Sequence, residues 1–211
     1  AACLQSIKSA WDNNRGSFSA LDIETIWDLQ GARGRSACRN EGIRQAMNKG
    51  ADWLFFLDAD DILSPYAFGE VQPHLEACDA VWGNICESTF SDQQVKLREN
   101  QLIETSNIED ILLTDPYLTL QMGHFVRSEC AAAIGFDESM NTGEDFRYYL
   151  QLWQRYSCRK VPSVFFINRR GNHSTGPRSA DGVQWRTAVE AEIAGTIAAR
   201  AARLAPSPAQ P

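Results

Sequence analysis

The spacing of apolar residues along the chain alternates between a strand pattern and a helix pattern. The run from Trp53 to Leu57 is apolar throughout and ends at acidic residues, which predicts a strand buried on both faces. Further strands are predicted over 21–29, 79–85, 124–127 and 161–167. Apolar residues three or four positions apart predict helices over an opening segment that ends near Asn13 and over 39–49, 66–77, 108–113, 128–134, 145–156 and 183–204.

Strand and helix patterns follow one another along the chain, which indicates the α/β class with a parallel, helix-covered sheet. Ser36 is expected to cap the helix over 39–49, and Gly50 to end it. The polar stretch 87–100 is expected to form a hairpin or loop. The length of 211 residues suits a single domain, which we place over 1–204, and the segment 205–211 is expected to be a disordered tail.

Charge and cysteine content narrow the class of protein. The net charge is −7, from 20 Lys and Arg against 27 Asp and Glu, so the field of the molecule does not favour nucleic acid. No apolar run approaches the roughly 20 residues that span a bilayer, so no transmembrane segment is expected. The six cysteines lack Cys-x-x-Cys spacing, which argues against a zinc site or a disulfide framework. We therefore expect reduced thiols and a cytoplasmic protein, either free or peripheral at the inner membrane face.

Three acidic residues, Asp58, Asp60 and Asp61, directly follow the apolar strand. The predicted fold places them at the carboxyl end of a strand, where open α/β sheets form their ligand crevices. Carboxylates this close repel one another unless a cation or a solvated loop relieves them. Mg²⁺ and Mn²⁺ favour such oxygen ligands, completed by water and substrate phosphates. A simple acidic surface loop is the alternative.

A second acidic pair, Glu144-Asp145, follows Gly143 at the start of a predicted helix. The helix dipole and free N–H groups keep a carboxylate ionised there, so the pair is either a helix cap or the seat of a general base. His173 lies in a polar loop, where a histidine is either an exposed residue or a third ligand beside Asp60.

Four motifs together resemble the family 2 inverting glycosyltransferases of the GT-A fold. They are Gly-Arg-Ser-Ala-Cys-Arg-Asn-Glu-Gly-Ile at 34–43, Phe-Phe-Leu-Asp-Ala-Asp-Asp-Ile-Leu-Ser-Pro at 55–65, Ile-Gly-Phe-Asp-Glu at 134–138 and Gly-Glu-Asp at 143–145. The resemblance implies a Rossmann-like, mostly parallel sheet flanked by helices. It also implies transfer of a sugar from a UDP- or GDP-sugar to a glycan, lipid-linked or protein acceptor.

The resemblance assigns roles to individual residues. Asp60 of the Asp-x-Asp motif would coordinate Mn²⁺ or Mg²⁺, and Asp58 would contact the ribose or a metal-bound water. Asp145 would be the general base, with Glu144 orienting it or contacting the acceptor. The remaining matches are Arg39 and Asn40 near the nucleotide, Asp28 at the uracil or ribose, and His173 at the metal or diphosphate. The segments 87–100 and 118–124 are expected on the acceptor side.

The chain departs from the family pattern at its beginning. Family members normally open with an apolar strand and a Pro-x-Tyr-Asn-like turn, and the chain is expected to lack this strand. In place of the family's Asp-Asp-Gly-Ser the sequence has Trp27-Asp28-Leu29-Gln30-Gly31.

Two other functions compete with a transferase. An apolar strand followed by Asp58-x-Asp60 also resembles the nucleophile motif of haloacid-dehalogenase-like phosphatases, although the other motifs of that family cannot be assigned. A protein that binds sugar nucleotides without catalysis is the third reading. The sequence specifies neither the donor sugar nor the acceptor.

Overall fold

A computed structural model describes residues 2–89, 94–170 and 182–204. Its helices are α1 (Ala2–Asn13), α2 (Gly34–Lys49), α3 (Ala67–Val71), α4 (Ile108–Leu113), α5 (Pro116–Thr119), α6 (Ser128–Ile134), α7 (Glu144–Arg155) and α8 (Gly182–Leu204). Its strands are β1 (Trp53–Phe55), β2 (Ile62–Leu63), β3 (Ala80–Trp82), β4 (Cys86–Thr89), β5 (Lys96–Leu97), β6 (His124–Arg127), β7 (Cys158–Lys160) and β8 (Phe166–Arg170). The predicted tail 205–211 and His173 lie outside the described residues.

The strands of the described ranges form two partly parallel sheets. In the first sheet the order is β1-β6-β3-β7, with β6 antiparallel to both neighbours and β3 parallel to β7. Strands β1, β3 and β7 therefore point the same way. The second sheet has the order β2-β8-β4-β5, in which β4 and β8 are parallel. Helices flank these sheets, which confirms the predicted α/β class.

The first sheet separates two hydrophobic clusters because successive strand residues face opposite sides. Ala80 and Trp82 of β3 pack with residues of α2, α6 and α7 on one face. Val81 packs with Phe68 of α3 and Ala10 of α1 on the other. The helices thus cover both faces of the first sheet.

Several predicted elements have the bounds that the pattern indicated. These are the helices over 108–113 and 128–134 and the strand over 124–127. The polar stretch 87–100 contributes to a hairpin, because β4 and β5 pair in antiparallel fashion.

The strand predicted over 21–29 is wrong. Its side chains alternate, but its backbone pairs with no strand in the part of the chain that the structure describes. Ile26 lies 3.9 Å from the position that a Cβ on Gly42 would take, and Glu24 forms an ion pair with Lys49, so the segment lies along α2. Alternation alone does not make a strand, since a strand also needs a hydrogen-bonding partner.

Three other boundaries differ from prediction for local reasons. Ser36 does not cap α2, because the helix already begins at Gly34 and Ser36 is buried within it. The predicted helix 66–77 ends as α-helix at Val71 and continues as a 3₁₀ turn, where Pro73 lacks the N–H that α-helical bonding needs. Of the strand predicted over 161–167, only the last two residues lie in a strand, as the start of β8. β7 ends at Lys160 in the other sheet, and Pro162 lies between the two strands.

All six cysteines lie in the described ranges and are free thiols. Among the helices that the structure describes, none combines the length and the apolar character needed to cross a bilayer.

Candidate active site at the carboxyl end of the first sheet

The carboxyl ends of β1, β3 and β7 and the start of β6 meet at one end of the first sheet. The acidic residues after β1 lie there in a tight turn, in which the Asp61 N–H donates to the Asp58 carbonyl over 2.9 Å. The strand therefore delivers its carboxylates where the sequence predicted them.

Asp61 has a different environment from its two acidic neighbours. Its side chain is buried and accepts hydrogen bonds from the Arg169 N–H, at 2.9 Å, and from the Asn168 amide, at 3.1 Å. Burial, together with the nearby Asp58 carboxylate, raises the pKa of Asp61 to about 7. Through these hydrogen bonds Asp61 links β8 to the acidic turn, a role that the sequence did not indicate.

Asp58 and Asp60 face solvent. The Asp58 side chain is 51% exposed and lies 3.5 Å from the Arg39 guanidinium. Asp60 is exposed, and its carboxylate makes no hydrogen bond or ion pair with the residues that the structure describes. Two open carboxylates suit Mn²⁺ or Mg²⁺, which take few protein ligands when phosphates and water supply the rest.

A preformed metal cage of protein ligands is absent from the described ranges. No group of three His, Cys, Asp or Glu side chains there could hold a metal ion. His173, the predicted third ligand, lies outside those ranges, so its role stays a prediction.

Glu144 begins α7 and is unusually buried for a carboxylate, at 3% exposure. Its Oε1 pairs with Arg35 at 3.2 Å and with Arg39 at 3.3 Å, while Oε2 has no hydrogen-bond partner among the described residues. Burial and the neighbouring Asp145 raise the pKa of Glu144 above its usual value despite the two arginines.

Asp145 is half-buried and accepts a hydrogen bond from the Phe146 N–H at 2.8 Å. Within the described parts of the chain it has no ion-pair partner. The two acids are therefore not equivalent: Glu144 is held by arginines, whereas Asp145 keeps a carboxylate oxygen available. Its proposed role as a base stays a prediction.

Arg39 and Asn40 connect the other motifs. The Arg39 guanidinium contacts Asp58 and Glu144 and lies over the Phe136 ring, 5.4 Å from its centroid. The Asn40 amide donates to the Phe136 carbonyl and accepts from the Phe136 N–H, at 2.9 and 2.8 Å. The four motifs of the sequence thus meet around α2.

Asp28 lies at the start of α2. Its carboxylate accepts hydrogen bonds from the N–H groups of the three residues that lead into the helix, Ala32, Arg33 and Gly34. Desolvation opposes ionisation, but these bonds outweigh it and hold the pKa of Asp28 below its ordinary value. In the sequence, the signal for this cap is the position of Asp28 six residues before Gly34, the first residue of α2. The predicted contact of Asp28 with uracil or ribose remains a prediction.

An aromatic cluster lies beneath this end of the sheet. His124 is fully buried and stacks on Trp82 with ring centroids 4.2 Å apart. Burial lowers the pKa of His124 to about 3, so the ring is neutral. The predicted strand over 124–127 gave its position, but its burial depends on aromatic partners from elsewhere in the chain.

The chain is similar to known proteins in sequence pattern and in fold. The sequence pattern of the family described as Glycosyl transferase family 2 matches residues 25–137. Among solved structures, S. aureus TarS 1-349 in complex with UDP has a TM-score of 0.58 and 15% identity, over 93% of this chain and 53% of that chain. Another structure of S. aureus TarS 1-349 gives a TM-score of 0.53 at 15% identity, over 79% of this chain and 47% of that chain.

This chain spans only about half of the TarS chains in those two structures. At such low identity the likeness concerns the fold, and it confirms the predicted GT-A type. No curated protein matches the chain.

Proposed function

Because the chain belongs to glycosyl transferase family 2, we propose that it transfers a sugar from a nucleoside-diphosphate sugar to an acceptor hydroxyl, with inversion at the anomeric carbon. The observation that carries the proposal is the meeting of two acidic centres around Arg39. Asp58 and Asp60 provide the donor side, and Glu144 and Asp145 provide the acceptor side. UDP in the TarS complex supports a UDP-sugar as the donor.

The donor side is proposed to hold a divalent cation, Mn²⁺ or Mg²⁺, through Asp60 and Asp58. Such an ion, when bound, neutralises the charge that develops on a diphosphate leaving group. The exposed Asp60 carboxylate fits this role, because it forms no ion pair with any of the described residues. Asp61 keeps the turn in place through its bonds to Asn168 and Arg169.

The acceptor side is proposed to remove the proton from the attacking hydroxyl. As the acceptor oxygen bonds to the anomeric carbon and the bond to the diphosphate breaks, its proton passes to the Asp145 carboxylate. Attack from the face opposite the leaving group inverts the configuration. Glu144, fixed by Arg35 and Arg39, orients its neighbour. A positioned carboxylate base typically contributes about 10²–10⁴ in rate.

The free thiols support a cytoplasmic setting, because reduced cysteines are typical of that compartment. The family match favours a transferase over the haloacid-dehalogenase-like phosphatase. A protein that binds sugar nucleotides without catalysis would differ from the proposed transferase only in that it does not turn over the donor.

Donor turnover separates the three functions. We expect the chain to release UDP from UDP-glucose or UDP-N-acetylglucosamine when MnCl₂ is present, slowly with water alone and faster with acceptor glycans. Release of phosphate from p-nitrophenyl phosphate would instead indicate a phosphatase. UDP binding without any turnover of the donor sugars would leave a binding protein and overturn the proposed catalysis.

A further inference from the structure

The Arg39 side chain lies between the two acidic centres. Its Nη2 is 3.5 Å from Asp58 Oδ1, and its Nη1 is 3.3 Å from Glu144 Oε1. One carboxylate follows β1 and the other begins α7, so a single guanidinium joins elements that are far apart in sequence. Two different nitrogens make the two contacts, as the fork shape of arginine permits.

The surroundings fix this guanidinium in place. The side chain is only 12% exposed and rests on the Phe136 ring. That ring stacks on Tyr148 at 4.2 Å and meets the edge of Phe56 at 5.6 Å. The Asn40 amide holds the backbone of Phe136 from the adjacent position on α2. The arginine is therefore part of a rigid support.

The charges around Arg39 explain why a cation is retained there. Burial lowers the pKa of Arg39, but Asp58, Tyr149, Asp145 and Glu144 outweigh this effect and raise it, so the guanidinium stays charged. Without it, the buried Glu144 would keep only the half-exposed Arg35 as its cation. A lysine would supply a point charge and could not present two separate donors in a fixed plane.

We propose that Arg39 is a positioning residue, which holds the donor-side Asp58 and the acceptor-side Glu144 in fixed register. The inference rests on the proposed function. It has a distinctive consequence: a change at Glu144, on the acceptor side, is transmitted to the donor site through Arg39. A salt bridge that served stability alone would not couple the two sites.

The test is a cycle of four proteins: the parent, Glu144→Gln, Arg39→Met and the double variant. Calorimetry with UDP and MnCl₂ gives a dissociation constant for each. We expect Glu144→Gln to weaken UDP binding by at least about two-fold in the parent and to leave it unchanged in the Arg39→Met background, since contacting residues are coupled. Equal effects in both backgrounds would overturn the inference.

Further variants keep the test sharp. Arg39→Lys preserves the charge and should lose the coupling as Arg39→Met does. It replaces Arg39→Met in the cycle if that variant fails to fold. Arg44→Met changes a 64% exposed arginine of the same helix, which pairs with Glu41, and should leave both the affinity and the Glu144→Gln effect as in the parent. If the parent itself binds no UDP, the proposed function fails and the inference with it. If the parent binds UDP and the effects add, only the inference fails.

Discussion

Glu144 and Asp145 are neighbours in sequence but differ in what surrounds their carboxylates. Two arginines engage Glu144, which is buried, whereas Asp145 accepts one backbone N–H and has no cation partner among the described residues. A base needs an available oxygen, so the environment favours Asp145 over Glu144 for that role.

Asp145→Asn tests this assignment. The substitution retains an oxygen that can accept the Phe146 N–H and removes the basic one. Donor affinity should stay within a few-fold of the parent, while sugar transfer falls by about 10²–10⁴. Transfer rate and UDP affinity are measured on the same variant.

A helix cap would behave differently. If the pair only caps α7, Asp145→Asn loses at most about 0.5–2 kcal/mol of stability and turns over nearly normally. Near-parental transfer by a folded variant would remove Asp145 from the mechanism.

Gly123, directly before β6, has a backbone conformation and a close contact that suit glycine. Its φ is +101°, and a Cβ there would lie 2.4 Å from the Phe166 ring at the beginning of β8. This close approach lets the two sheets meet beside the candidate site. A side chain would require the ring to move and would also strain the backbone.

Gly123→Ala should therefore lower the free energy of unfolding by roughly 1–3 kcal/mol, measured by urea denaturation. Gly195→Ala is the matched control, because it lies inside α8 with nothing within 4 Å of the added Cβ. Alanine there should leave stability equal or raise it by up to about 1 kcal/mol. A Gly123→Ala variant as stable as the control would show that the ring yields without cost.

The local sequence pattern predicted an element correctly where the tertiary contacts of that element favour the same structure. The helices over 108–113 and 128–134 have clear stop signals, including Gly135. The segment 21–29 had the alternation of a strand but no partner, which no local pattern reveals. The strand predicted over 161–167 has the wrong bounds, because the positions of β7 and β8 depend on pairing with β3 and β4, which are distant in the chain.

The candidate site was predicted as far as its motifs extend. The positions of Asp58, Asp60 and the Glu144-Asp145 pair followed from an apolar run and a helix start. The burial of Asp61 did not, because it depends on Asn168 and Arg169, more than a hundred residues later. Adjacent acids look alike in sequence, and only tertiary contacts distinguish them.

A buried lysine links segments that are far apart in the chain. Lys160 is fully buried, and its Nζ donates to the Gly83 and Thr119 carbonyls at 2.8 and 2.9 Å and to Gln101 Oε1 at 3.3 Å. Burial, with a smaller contribution from Arg98, lowers the pKa of Lys160 from 10.5 to about 7. The polar pocket joins β3, β7 and the segment that contains α5.

Lys160 should make stability depend on pH. The unfolded chain keeps this proton up to about pH 10.5, whereas the folded protein releases it near pH 7, so unfolding takes up a proton between these values. Lys160 therefore contributes a rise in the free energy of unfolding with pH above 7, of at most about 1.4 kcal/mol per pH unit. Thiols such as Cys130, whose pKa burial raises, contribute in the opposite direction as pH approaches their ordinary pKa. Urea denaturation between pH 7 and 9 measures the slope.

Lys160→Met is the comparison for that slope. The slope of the free energy of unfolding against pH should be more positive in the parent than in this variant, because the thiols and the other titratable groups are unchanged. Identical slopes in the parent and in Lys160→Met would show that the folded lysine keeps its proton across this range.

The proposed function requires the acidic turn after β1 to bind a nucleotide through a divalent cation. UDP binding tests it most directly, because it requires no knowledge of the acceptor. Calorimetry compares the parent with MnCl₂, the parent with EDTA, and Asp60→Ala with MnCl₂. Glu129→Gln serves as control, since this exposed acid lies in the first turn of α6, at the opposite end of the first sheet.

We expect UDP to bind the parent and Glu129→Gln alike in MnCl₂. EDTA should abolish binding, and Asp60→Ala should weaken it by at least about ten-fold, or about 1.4 kcal/mol. An Asp60→Ala protein that binds UDP as tightly as the parent, or a parent that binds UDP equally well in EDTA, would show that the acidic turn does not bind the nucleotide through a cation.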